Sequence, residues 1–109
     1  PPLYRVDIGQ KVFYALDEAE REGILERIAA EKLRGKINVT RFKGLGEMMP
    51  ATLNETTLDP DKRRLLQVAI PEGDRLVTEN TISELMGKDS APRFAFIMEN
   101  ATDVEELDV

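Results

Sequence analysis

Apolar residues come first in short alternating runs and then, further along the chain, at helical spacing. Leu3 to Val6 and Lys11 to Leu16 are strand-like runs rich in Val, Tyr and Phe, set around Asp7-Ile8-Gly9-Gln10, which predicts a hairpin. Asp17 with Glu20 three residues on has the spacing of a capping box, and Ile24, Leu25, Ile28, Ala29 and Leu33 follow as one apolar stripe. The spacing predicts a helix to about Leu33, weakened by roughly 1 kcal/mol at Gly23 and stopped by Arg34-Gly35-Lys36. Ile37 to Phe42 reads as a third strand. Pro50 suits the first turn of a short helix through Leu58, Asp59-Pro60 restarts the chain, and Leu66, Val68 and Ile70 alternate as a fourth strand.

Beyond residue 71 two helices are predicted. Thr78, Ile82, Leu85 and Met86 mark the first, with Gly87 as the left-handed residue that ends it. Ser90 is the expected cap of the second, in which Phe94, Ile97, Met98 and Ala101 fall at i, i+3, i+4 and i+7. That stripe reads as core, with a partner-helix contact as the alternative. The fold class is therefore α/β, short strands linked by helices and followed by a helical C-terminal tail. No internal repeat or low-complexity segment appears, and the glycine-containing loop at residues 34–36 is the nearest thing to a linker.

Composition narrows the function. A chain of 109 residues, 41% hydrophobic, makes at most one small domain that buries roughly 60 to 65% of its unfolded surface. It has no cysteine and no histidine, which excludes disulfides, thiolate metal sites, histidine-based triads and ordinary zinc sites. No apolar run approaches the ~20 residues of a membrane span, so a cytoplasmic location and no membrane partner are expected. Because the chain opens on Pro1-Pro2 rather than methionine, a piece of a larger protein is expected. Net charge is −6, but unevenly spread: residues 41–64 carry four acids and five bases, residues 72–109 ten acids and three bases. Binding to nucleic acid requires clustered cations, so any DNA contact must come from the middle.

The middle also holds the stretch hardest to explain as scaffold, Arg41-Phe42-Lys43-Gly44-Leu45-Gly46-Glu47-Met48. Two glycines so close together at the end of a strand imply a positive φ or a close approach of backbone to something else. Lys43 before them and Glu47 after them make that something a charged group. A plain strand-to-helix turn is the bland alternative. Arg41 and Lys43 could likewise be solvated edge-strand charges, Glu47 a carboxylate at the next helix N-terminus, and Lys62-Arg63-Arg64 a solvated face. Tyr4 and Tyr14 read as packing residues rather than nucleophiles.

This run, together with Glu55-Thr56-Thr57-Leu58-Asp59-Pro60, resembles the late part of the metal-binding TOPRIM domain in B-type subunits of bacterial type IIA DNA topoisomerases, the family of gyrase B and topoisomerase IV B. The likeness extends to Pro1 to Val6, Leu65 to Val68, Leu85-Met86-Gly87, Pro92-Arg93 and Leu107-Asp108-Val109. It implies a fragment of a Rossmann-like TOPRIM domain at residues 1–70 and a helical tail at residues 71–109. It further implies that Arg41, Lys43, Gly44, Leu45, Gly46, Glu47, Met48, Arg63 and Arg93 face DNA or the A-type subunit. The family's Mg²⁺ ligands, a Glu-Gly-Asp-Ser run and an Asp-X-Asp pair, and its ATPase domain would lie before Pro1. The fragment would then bind neither Mg²⁺ nor ATP, would be inactive alone, and would have the upstream remainder of its own subunit as a further partner.

Two positions depart from the family pattern: Met49 stands where an asparagine often caps the next helix, and Phe94 where a second arginine often follows Pro92-Arg93. The short link from Leu16 to Ile37 leaves no room for the insertion some gyrase B subunits carry, which tilts the reading toward topoisomerase IV. A gyrase B fragment and a small non-catalytic interaction domain remain the alternatives.

Overall fold

The computed structural model describes residues 1–104; the resemblance at Leu107-Asp108-Val109 lies outside the described residues. The chain divides into two compact units, Pro1–Leu65 and Leu66–Val109.

In the first unit, β1 (Tyr4–Ile8) and β2 (Lys11–Ala15) form the expected hairpin, paired from Tyr4↔Ala15 to Ile8↔Lys11. The turn is two residues long because Gly9, at φ +57°, takes the positive φ its first position needs. β3 (Ile37–Arg41) joins the other side of β1 with Val6 opposite Val39, so the sheet is antiparallel in the order β2-β1-β3. Alternation then sorts the side chains. Tyr4, Val6 and Ile8 are buried on one face, where Ile28 of α1 (Glu18–Ala30) completes the core with Phe13, Ile24, Leu25 and Leu33 around it. The other face is polar and carries the Arg5–Asp7 ion pair at 2.8 Å, with Arg5 also donating to Thr52 Oγ1 at 3.3 Å.

Both ends of α1 are sealed. Asp17 accepts from the Glu20 N–H at 2.9 Å, and the Glu20 carboxylate reaches back to the Leu16 N–H at 2.8 Å. The helix stops three residues before the predicted Leu33. Lys32 adopts φ +50°, the Leu33 N–H bonds the Ile28 carbonyl and the Lys32 N–H the Ala29 carbonyl. This is a Schellman ending with lysine in the place usually given to glycine, and Leu33 packs against the cluster that holds Ile28. The loop at residues 34–36 is no linker: a Cβ on Gly35, at φ +137°, would lie 2.8 Å from the Gly9 nitrogen. The two glycine backbones are in contact.

After β3 a single 3₁₀ turn (Leu45–Glu47) leads to α2 (Pro50–Leu53), with Pro50 in its first turn and, as expected, no side-chain cap from Met49. α2 runs straight into a π-helical turn (Asn54–Leu58) closed by the Asp59 N–H on the Asn54 carbonyl at 2.7 Å. The predicted short helix is thus present, α-helical in its first half and widened into a π turn in its second.

In the second unit the fourth strand is not formed. Residues 66–70 have no regular structure and Val68 is 94% exposed. Alternation alone does not make a strand: these residues pair with no other strand among the described residues and stay exposed. The two helices are present as α3 (Arg75–Met86) and α4 (Ala91–Asn100). Gly87 ends α3, but at φ −67° rather than in the left-handed region. Glycine is required there for space, since a Cβ would lie 2.3 Å from the Ser83 carbonyl oxygen. Ser90 makes no capping bond; Asp89 accepts from the Ala91 N–H instead, at 3.0 Å. The core reading of the Phe94, Ile97 and Met98 stripe is also corrected. All three are more than half exposed, and neither α3 nor α4 has a fully buried residue.

Candidate functional site

The candidate loop hangs between two buried anchors, Phe42 and Met48, each 8% exposed. Phe42 is fixed by its N–H on the Leu3 carbonyl at 2.8 Å. Met48 lies beside Thr56, whose hydroxyl is 3.8 Å from its sulfur and donates to the Thr52 carbonyl at 2.7 Å. Everything between the anchors, Lys43 to Glu47, is exposed. The loop is nevertheless closed. Glu47 Oε2 accepts from the Lys43 N–H at 2.7 Å, the Glu47 N–H donates to the Gly44 carbonyl at 3.2 Å, and the Met48 N–H to the Leu45 carbonyl at 3.1 Å.

Neither glycine takes a positive φ. Gly44 is fully extended (φ −178°, ψ 175°), a conformation open to any residue, and Gly46 is absent from the positive-φ glycines. That half of the expectation is corrected. Nor do the described residues approach them, since a Cβ built on either glycine meets none of their atoms within 4 Å apart from its chain neighbours. Among the described residues, therefore, nothing gives the two glycines a steric reason. An open cleft of about 210 Å³ beside the loop is lined by Pro1, Pro2, Leu3, Phe42, Met48 and the loop residues Lys43 to Leu45.

The remaining site residues fall into distinct settings. Arg41 lies on the α1 face of the sheet, where it donates to the Tyr4 hydroxyl at 3.0 Å, approaches Glu18 to 3.9 Å and lies over the Tyr4 ring, with Arg21 also 4.8 Å from the ring centroid. Tyr4 itself is 1% exposed and donates to Glu18 at 3.3 Å, in keeping with its reading as a packing residue. Leu45 projects from the 3₁₀ turn and is half exposed. In the basic run Lys62 pairs with Glu55 at 3.3 Å and Arg64 with Glu20 at 2.8 Å. Arg63, exposed, makes no side-chain hydrogen bond or ion pair among the described residues. Arg93, in the second unit, is half-buried and donates to the Gly87 carbonyl, closing the end of α3.

Two carboxylates are held below their usual range. The Leu16 N–H and then Arg64 lower Glu20, and Arg27 lowers Glu31. Neither belongs to the loop. Asp59-Pro60-Asp61 spells an Asp-X-Asp and Glu72-Gly73-Asp74 three letters of the other family motif. Asp59 spends an oxygen on the Asp61 N–H at 3.0 Å, and no group of three or more acidic side chains that could hold a metal occurs among the described residues. These residues do not fit a Mg²⁺ site. Tyr14, read as a packing residue, donates to Glu55 at 3.5 Å and joins the hairpin to the π turn across 41 residues, a contact the sequence did not foreshadow.

The chain's sequence has relatives among known proteins. The family described as DNA gyrase B subunit, carboxyl terminus, matches residues 34–98, and the chain belongs to that family of bacterial type IIA topoisomerase B subunits. Among individual proteins it is similar to the B subunit of DNA topoisomerase 4 from Escherichia coli, 46% identical over 109 residues, which is 100% of this chain and 17% of that protein. The corresponding protein of Pseudomonas aeruginosa is 67% identical over 72 residues, covering 66% of this chain and 11% of its own length. That of Haemophilus influenzae is 58% identical over 74 residues, 68% of this chain and 11% of the protein. The chain thus spans less than a fifth of the length of these relatives. No helix among the described residues is long and apolar enough to cross a membrane.

Proposed function

We propose that this chain is the TOPRIM-end and tail portion of a type IIA topoisomerase B subunit of the topoisomerase IV kind, acting with an A-type subunit on DNA in ATP-dependent strand passage. The relatives named above support topoisomerase IV over gyrase, and the short Leu16 to Ile37 link agrees with that choice. Within the assembly the loop from Lys43 to Glu47 is the contact element. The single observation that carries this is the pair of glycines whose missing side chains leave open space on the outer side of a loop otherwise fully tied down. Backbone N–H groups so exposed, with a lysine beside them, suit a phosphate diester, which positions an enzyme without reading sequence. Mg²⁺ and ATP are held by parts of the enzyme outside these residues.

The test is Gly44→Val and Gly46→Val in the full-length subunit assembled with its A-type partner. DNA cleavage is expected to fall far more than DNA-independent ATP hydrolysis, with the melting temperature unchanged, because the added side chains meet nothing in the chain. Equal loss of both activities together with stability would return the loop to a plain turn.

A further inference from the structure

We infer that Glu47 is a positioning residue, whose carboxylate closes the loop on the Lys43 N–H and so sets how the edge at residues 44–46 is presented to the DNA backbone. The inference rests on the reading of the loop as a DNA contact and adds to it the role of the one acidic side chain within it. A carboxylate facing DNA directly would repel phosphate. The 2.7 Å bond from the Lys43 N–H turns Glu47 inward along its own loop instead, four residues back. Its own N–H meanwhile donates to the Gly44 carbonyl, so one residue ties both ends of the segment. Without that tie, Lys43 to Gly46 would be an exposed run with two glycines between the anchors Phe42 and Met48, free to sample many conformations. Each ordering step would then be charged against DNA binding. The carboxylate supplies the order in advance, and a charge-assisted acceptor does so more strongly than a neutral one.

The full-length subunit with its A-type partner provides the test, using Glu47→Ala, Glu47→Gln and Lys43→Ala. Glu47→Ala is expected to speed hydrogen exchange at the Lys43 amide and lower DNA cleavage, each by about tenfold, the factor that corresponds to a bond of ~1.4 kcal/mol. The melting temperature should fall by no more than about 2 to 4 °C, the shift a single bond of that size makes in a domain of 150 to 250 residues. Glu47→Gln keeps an oxygen able to accept the same N–H and is expected to restore most of both readouts. If Glu47→Gln and Glu47→Ala lose cleavage equally while Lys43 exchange does not change, the charge itself is meeting a protein partner and the positioning role is overturned. If Glu47→Ala frees the amide but leaves cleavage intact, the loop's order is irrelevant to DNA and the inference also fails. Lys43→Ala separates the two ideas. An unchanged DNA affinity and salt slope in that variant would remove the loop from DNA and sink the functional reading on its own, whatever the exchange data say about the Glu47 bond.

Discussion

Glycines do different jobs in this chain, and only their geometry tells them apart. Gly35 combines a φ of +137° with the Gly9 backbone 2.8 Å from any added Cβ. Gly35→Ala is therefore expected to cost several kcal/mol from strain and clash together, read as a lowered urea midpoint. Gly44 has neither constraint. Gly44→Ala should be neutral or stabilise the isolated chain by about 0.4 to 1 kcal/mol through the unfolded state, even as it impairs DNA cleavage in the whole enzyme. A destabilised Gly44→Ala would point to a steric need within the fold. Lys32 is the converse, a side chain where glycine fits better. Lys32→Gly should raise stability by up to ~1 kcal/mol and Lys32→Val lower it. Sequence spacing revealed the glycine pair but not which kind it was, because φ and open space are properties of the folded loop. The Arg41, Tyr4 and Glu18 cluster was equally hidden, since its members stand 14 to 37 positions apart.

At the scale of elements, local signals were legible and non-local ones were not. The hairpin and α1 could be read because a glycine turn and an Asp17/Glu20 capping box are written in adjacent letters, although the turn was expected over four residues and Asp7 and Ile8 belong to β1. The supposed fourth strand failed because alternation at Leu66, Val68 and Ile70 says nothing of whether an edge is available. Ser90 lost its capping place to Asp89, one position earlier, since both are competent acceptors. Asp17→Ala should cost about 1 kcal/mol of stability. Glu20 adds a pH dependence. Its carboxyl titrates below its usual 4.5 because the Leu16 N–H and Arg64 favour the anion, so its contribution is complete above that pH and is lost as pH falls through the folded-state value. Glu20→Gln should accordingly flatten the decline in denaturant midpoint on acidification below about pH 4.5 and leave neutral-pH behaviour closer to wild type than Asp17→Ala does. An unaltered acid limb would show that the paired carboxylate contributes nothing to folding.

At the scale of the molecule, the proposed contact loop stands in a chain whose charges are largely paired or acidic. Of the 15 basic residues, Lys62 and Arg64 are matched by Glu55 and Glu20, and Arg93 closes a helix end. The net charge of −6 opposes approach to DNA. No group of three or more acidic side chains able to hold a divalent cation is assembled among the described residues. The pure 109-residue chain, given supercoiled DNA, Mg²⁺ and ATP, is expected to leave the topology unchanged and to bind DNA weakly, with an affinity that collapses as salt rises. A band-shift titration at low and at physiological salt measures the second expectation, and agarose gels of the plasmid the first. Because Lys43 is the loop's one cation, its replacement by alanine in the assembled enzyme should lower the slope of log affinity against log salt by about 1 and weaken all sequences alike. Robust cleavage by the chain alone would mean that the acidic side chains at residues 59–61 or 72–74 gather a metal after all, and would move the reaction centre into a segment whose geometry otherwise suits it only to support one.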